Sequence, residues 1–141
     1  MARTARRRRS LATRPIIASH WKTYLEGCES AGRAPDPAHW RVARVIHVAR
    51  DEGEARAYFE DPAGPYHDFW RYLIGVLTRA GMLAMLKTDK AMPDAAVTPE
   101  YALRTFSICG SPASVARQVR ELREEVGGFG GLVSLAIEFG D

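Results

Sequence analysis

Residues 107–139, SICGSPASVARQVRELREEVGGFGGLVSLAIEF, constrain this chain more than any other stretch, because one helix with both stop signals runs directly into a strand. Ser111 reads as an N-cap whose hydroxyl takes an orphan backbone N–H, and Pro112 sits at the first helical position, where its missing N–H costs nothing. Val115, Val119, Leu122 and Val126 then follow at steps of four, three and four, while Arg117, Arg120, Glu121, Arg123, Glu124 and Glu125 take the wet face. One side is built for burial. Gly127 and Gly128 supply the left-handed backbone of a helix stop, and Phe129, Gly130 and Gly131 make a tight connection. Residues 132–139 are apolar except for Ser134 and Glu138, which suits a strand covered on both faces, as in a parallel sheet. Helix, glycine turn and buried strand make half of a βαβ unit.

A chain of 141 residues with 46% hydrophobic side chains has the material for one domain with a sizeable core. Its excess positive charge is confined to one end. Residues 1–14 hold six arginines and no acid, and removing those six from the 20 Lys and Arg leaves 14 against 17 Asp and Glu. The body is therefore mildly acidic, and residues 1–14 read as a disordered basic tail, with residues 15–141 as the folded unit. Arg6 to Arg9 could grip phosphates, but with no interleaved aromatics and no recognition helix after it, nucleic-acid binding is not the expected role. No apolar export region follows the arginines, and the longest apolar region, residues 69–86, is interrupted by Arg71 and Arg79, which argues against a membrane span. The expected compartment is the cytoplasm. Cys28 and Cys109 form no CxxC pattern and read as small buried hydrophobes. His20, His39, His47 and His67 lack ligand spacing, so no metal site is expected.

Along the chain, Ser19 can cap a helix in which Trp21, Tyr24, Leu25 and Cys28 share a face, ending at Gly32. A stiff turn over residues 33–39 leads to WRVARVIHVA, residues 40–49, a strand with Trp40, Val42, Arg44, Ile46 and Val48 on one face. Arg41, Ala43, Val45, His47 and Ala49 take the other. Residues 51–60 read as a short helix with an acidic first turn, closed by Asp61 and Pro62. Residues 66–86 read as a second one, with Tyr66, Phe69, Trp70, Leu73 and Leu77 on its apolar stripe. Residues 81–97 lose periodicity and read as a mobile loop, and Thr98 with Pro99 starts a helix through Phe106. The mostly helical excursion from residue 50 to residue 106 is long for a connection between a strand and its crossover helix, and such connections are usually functional.

HWKTYLEGCESAGRAPDPAHWRVARVIHVARDEGEARAY, then PYHDFWRYL, then ICGSPASVARQVRELREEVGGFGGLVSL, in that order and spacing, resemble the C-terminal part of luciferase-like flavin-dependent monooxygenases, the group of bacterial luciferase and limonene-type hydroxylases. The resemblance runs from about residue 15 to residue 139. It implies a helix-rich α/β chain that forms part of a TIM (β/α)8 barrel: helix six, strand seven, a long mostly helical insertion, helix seven and strand eight. A closed barrel takes about 250 residues, so the chain is expected to be an incomplete fragment, inactive and prone to self-association alone. The implied activity is oxygenation of a small organic substrate by reduced FMN and dioxygen, with the FMN supplied by a flavin reductase; some relatives use a deazaflavin instead. The rival reading is a small helix-rich interaction module with a nucleic-acid-binding tail.

The residues offer a few candidates for chemistry. Gly110 and Ser111, with the N–H groups of Ala113 and Ser114, could bind an anion of the cofactor at a helix N-terminus, or form an ordinary cap. His47 stands near the C-terminal end of its strand, where α/β folds place ligands, or is a core or rim histidine. Tyr66, His67 and Trp70 match the family's excursion and could cover a bound flavin, or simply pack. Glu138 and Asp141 follow the last strand and could position substrate. No nucleophile and base stand at convincing spacing, so the catalytic residues are left open.

Overall fold

The computed structural model describes residues 8–10, 12–135 and 137. Among these, four parallel strands form one sheet: β1 (Arg8–Ser10), β2 (Trp40–Val48), β3 (Ser107–Gly110) and β4 (Gly131–Leu135). β2 is central. Arg41 to Val45 pair with Gly131 to Leu135 of β4, while β1 pairs with Trp40 to Val42 and β3 with Val45 to Val48. Because Arg41, Val42 and Val45 each have two partners, β1 and β3 share one edge of β2 and β4 takes the other. The architecture is thus helix-rich α/β with a parallel sheet, as the apolar strands implied.

The alternation along β2 sorts the molecule into two layers. On the first face Trp40 and Val42 meet α1 (Arg14–Ser30) and α5 (Pro112–Val126) through Ile17, Leu122, Val126 and Phe129. Trp21 of α1 stacks on Trp40 with ring centroids 4.7 Å apart and planes 10° apart. Burying a side chain such as Leu122 contributes about 1.5–3 kcal/mol, which is why α5 keeps its apolar stripe inward. Arg44 also lies in this layer. Its Nη1 donates to the Ala43 carbonyl (2.9 Å), and Nη2 has no partner among the described residues. Burial, then the Arg14 charge, push its pKa down to about 10, against the pull of Glu125.

On the second face Val45 meets the excursion: α2 (Glu52–Phe59), α3 (Pro65–Arg79) and α4 (Pro99–Phe106), whose Phe59, Tyr66, Trp70, Leu103 and Phe106 form one core with it. The Asp51 carboxylate caps α2 through the Glu54 N–H (2.9 Å), and the Thr98 hydroxyl caps α4 through the Tyr101 N–H (3.2 Å).

Several expectations are corrected. Residues 8–10 and 12–14 are not a disordered tail: β1 pairs with β2, Ala12 and Thr13 are buried, and Arg14 opens α1. An unpaired edge of β2 beside them explains this, since buried backbone groups must be satisfied. The helix starts at Arg14 rather than after Ser19, because Pro15 suits the first turn; the Ser19 hydroxyl donates back to the Ile16 carbonyl (2.7 Å) inside the helix. It ends at Ser30. α3 stops at Arg79, and Leu83–Leu86 form a separate 3-10 turn. Residues 107–110, which carry no strand signal of their own, form β3. β4 extends over Gly131–Leu135, and its residues are half-buried, with Ser134 exposed, rather than covered on both faces. Glu138 and Asp141 lie outside the described residues.

The segment over residues 81–97 is also tied down rather than mobile. Leu83, Leu86 and Val97 enter the core, and Lys87 pairs with Asp94 at 2.6 Å. The Tyr101 hydroxyl donates to the Leu86 carbonyl (2.8 Å) and accepts from the Thr88 N–H (3.0 Å). Tyr101→Phe is therefore expected to cost about 1–2 kcal/mol. Amide exchange at Thr88 should speed up well before that of α5, which checks the assignment to this strap.

Candidate ligand cleft at the strand ends

Parallel strands bring their C-terminal ends to one side, and in α/β proteins ligands bind there. β2 and β3 end together, with His47 opposite Cys109 and Val48 opposite Gly110. Both His47 and Cys109 share the face of Val45, under the excursion. The chain leaves β2 through Asp51 straight into α2, so the first residues of that helix hang over the end of β3.

That placement decides what happens at the α5 N-terminus. The Glu52 carboxylate accepts from the Ser111 N–H (3.1 Å) and the Ser111 hydroxyl (3.0 Å). The Ser111 Oγ in turn accepts from the Ser114 N–H (3.3 Å). Gly110 makes the approach feasible: at φ +146° it has a conformation other residues rarely adopt, and a Cβ there would stand 2.8 Å from both Glu52 carboxylate oxygens. The anion site anticipated at Gly110 and Ser111 thus holds the protein's own carboxylate. With the Ser111 and Ser114 N–H groups engaged in this way, Ser111 serves as the cap of α5.

Hydrogen bonds from Ser114 and Ser111 hold Glu52 below the usual carboxylate range. A carboxylate depressed in the folded state stabilises it fully above its unfolded pKa, about 4.3, and that contribution is lost as pH falls through the lower folded value. Acidification below the ordinary carboxylate range should therefore loosen the start of α5, read as faster exchange at the Ser111 and Ser114 amides. Glu52→Gln should flatten that response.

His47 Nδ1 and the Tyr66 hydroxyl lie 3.0 Å apart, so the structure brings two of the anticipated residues together. The half-exposed Tyr58 stacks on the His47 ring with centroids 4.9 Å apart and planes 26° apart. Burial pushes the His47 pKa down, opposed by the Glu54 charge, which favours the neutral ring near pH 7. Trp70 is fully buried and lies against Phe106 at 5.3 Å, so it is core and not a lid. His67 is also buried, with Nδ1 3.6 Å from the exposed Glu100.

Beside His67 a cleft of about 410 Å³ opens between α2 and α4 over β3, with Phe59, Leu103 and Cys109 in its lining and Arg56, Glu60 and Arg104 among its charged residues. Burial pushes the Cys109 thiol up to about 11, which keeps it protonated and un-nucleophilic near neutrality. Among the described residues no group of three or more His, Cys, Asp or Glu converges as a metal site. The arrangement suits non-covalent binding. Sequence reasoning missed Glu52, Tyr58 and Ser107 here; a Glu in the first turn after β2 was the one local sign, and the contacts themselves are long-range.

The proteins this chain resembles in sequence and in fold are luciferase-like monooxygenases of the type II Baeyer–Villiger and limonene kind, and they are its homologues. In particular, the chain is 31% identical over 123 residues to 3,6-diketocamphane 1,6-monooxygenase of Pseudomonas putida, covering 86% of this chain and 32% of that protein. It is 29% identical over 131 residues to limonene 1,2-monooxygenase of Rhodococcus erythropolis, covering 84% of this chain and 29% of that one. Among solved structures, it matches a type II Baeyer–Villiger monooxygenase, the oxygenating constituent of 3,6-diketocamphane monooxygenase from the CAM plasmid of Pseudomonas putida, in complex with FMN. The TM-score is 0.73 at 28% identity, over 89% of this chain and 34% of that chain. The chain thus spans about a third of the length of the relatives it matches. No family model matches it. Among the described residues no helix is long and apolar enough to cross a membrane.

Proposed function

We propose that this chain is the C-terminal portion of an FMN-dependent, luciferase-like monooxygenase that oxygenates a small organic molecule with dioxygen. In this reading β2 and β4 are strands seven and eight of a (β/α)8 barrel, and α2 to α4 are its long insertion. Reduced FMN comes from a separate cytoplasmic flavin reductase. When bound, the flavin supplies the activation of oxygen. The observation that carries the reading is the similarity of nearly the whole chain to part of an FMN-bound oxygenase.

The filled α5 N-terminus supports a corollary: flavin contacts come mainly from the barrel strands that this chain does not match in its relatives, so the chain alone is inactive. The outer edge of β4, unpaired among the described residues, favours self-association of the isolated chain. No described feature favours a nucleic-acid role, and Arg8–Ser10 commit their backbone to the sheet.

FMN fluorescence tests this. The chain alone should leave it unchanged, and the chain mixed with the N-terminal two-thirds of the Pseudomonas putida relative should quench it saturably. No quenching by a folded mixture, or tight FMN binding by the chain alone, would discard the reading.

A further inference from the structure

A neutral imidazole carries one N–H and one lone pair, and the bond made at one nitrogen decides what the other offers. At the end of β2 that decision falls to Tyr66, whose hydroxyl lies 3.0 Å from His47 Nδ1. A phenol donates well and its oxygen accepts poorly, whereas the lone pair of an imidazole nitrogen accepts well. The favoured bond therefore runs from the Tyr66 O–H to Nδ1. The ring proton then sits on Nε2, which makes no hydrogen bond among the described residues.

The surroundings keep the pair together. Tyr66 is nearly inaccessible to water and packs against Phe59 with ring centroids 4.7 Å apart, so the phenol oxygen stays beside Nδ1. Tyr58 of α2 covers one face of the half-buried imidazole. From β3, Cys109 stands opposite His47, but its thiol donates to the Ala55 carbonyl (3.5 Å). Glu54 of α2 acts on the ring through its charge. His39 shows the reverse arrangement. Its Nδ1 lies 3.1 Å from the Asp36 carboxylate, which can only accept, so there Nδ1 carries the proton and the lone pair falls to Nε2.

We propose that Tyr66 is a positioning residue that holds His47 as the neutral ring protonated on Nε2, so that His47 serves the strand ends as a hydrogen-bond donor and not as a base. The atom it serves is an acceptor oxygen or nitrogen of a molecule bound at the ends of β2 and β3. The proposal rests on the monooxygenase reading only for which molecule that is.

Its main test needs neither flavin nor substrate. With histidine labelled in ¹⁵N, long-range proton–nitrogen spectra at about pH 8, above the ordinary histidine range, should show His47 protonated on Nε2 and His39 on Nδ1. Diethyl pyrocarbonate acylates the lone-pair nitrogen of a neutral imidazole. It should modify His47 about 5-fold or more slowly than His39, the bias of one hydrogen bond. Tyr66→Phe keeps the packed ring and removes the donor, so it should mix the His47 tautomers and speed the acylation by a similar factor. Tyr58→Ala uncovers the ring without touching Nδ1 and should leave the tautomer as it was. An unchanged amide spectrum elsewhere checks the fold of each variant, and the wild-type spectrum decides the matter where a variant does not fold. His47 protonated on Nδ1, or a tautomer indifferent to Tyr66→Phe, would overturn the proposal. Acylation that speeds up in Tyr58→Ala and not in Tyr66→Phe would do so too, because plain shielding would then account for it. In the flavin-reconstituted mixture, His47→Gln keeps an N–H donor and cannot act as a base, so it should retain about 5-fold or more turnover of 3,6-diketocamphane than His47→Ala. Equal loss in the two would reject the donor role, whereas a mixture without turnover would reject the function and leave the tautomer standing.

Discussion

Gly127→Ala is expected to destabilise the chain by about 3 kcal/mol. Gly127 closes α5 at φ +108°, where an L side chain costs about 1–2 kcal/mol. Space makes matters worse, since a Cβ would lie 2.3 Å from Cδ1 of Trp21. That indole cannot yield easily, being stacked between Tyr24 at 5.2 Å and Trp40 at 4.7 Å. Displacing a packed ring adds about 1–3 kcal/mol. Against a typical total of about 5–15 kcal/mol, the variant should lose a large share of its stability, measured as a fall in the urea midpoint. Gly128 offers a control: it has positive φ, but a Cβ would meet nothing within 4 Å, so Gly128→Ala should cost only the backbone part.

Trp70→Ala should cost about 3–5 kcal/mol, the range for removing a large aromatic from a core. Trp70 is fully buried between Phe69 and Phe106, each about 5.3 Å away, and joins α3 to α4. Its Nε1 has no partner among the described residues. The ring therefore contributes through packing, and Trp70→Phe, which leaves the smaller cavity, should cost less than Trp70→Ala. The two substitutions act on different layers. Gly127→Ala should loosen the α1 and α5 layer first, and Trp70→Ala the excursion, so hydrogen exchange in each variant should open a different set of amides.

Those layers were largely legible in the order of residues. Ser111, Pro112 and the glycine pair bound α5 because caps and stops are local chemistry, and the same holds for Thr98 before α4. The alternation of β2 identified both buried faces, including Arg44 among apolar neighbours, because side-chain direction in a strand has period two. What escaped was non-local. β1 is three residues of unremarkable propensity that pair only because β2 offers an edge. β3 is four residues whose role shows only beside Val45 to Val48.

The same division holds at the site. His47 and Tyr66 could each be singled out, but their hydrogen bond joins residues 19 apart in sequence. Glu52 reaches Ser111 across 59 positions, so the helix start that resembled an anion site could not be seen to be filled. Residues 81–97 resembled a free loop because the Tyr101 hydroxyl that ties them down belongs to the next helix.

The account depends most on β2 lying between parallel neighbours, since that arrangement puts the strand ends, the excursion and the cleft on one side. Cross-strand nuclear Overhauser contacts in the isotope-labelled chain test it directly. They should place Ala43 opposite Val133 and Val45 opposite Leu135 on one edge, and Val45 opposite Ser107 on the other, all running the same way. Contacts showing β4 antiparallel to β2, or separated from it, would contradict the account.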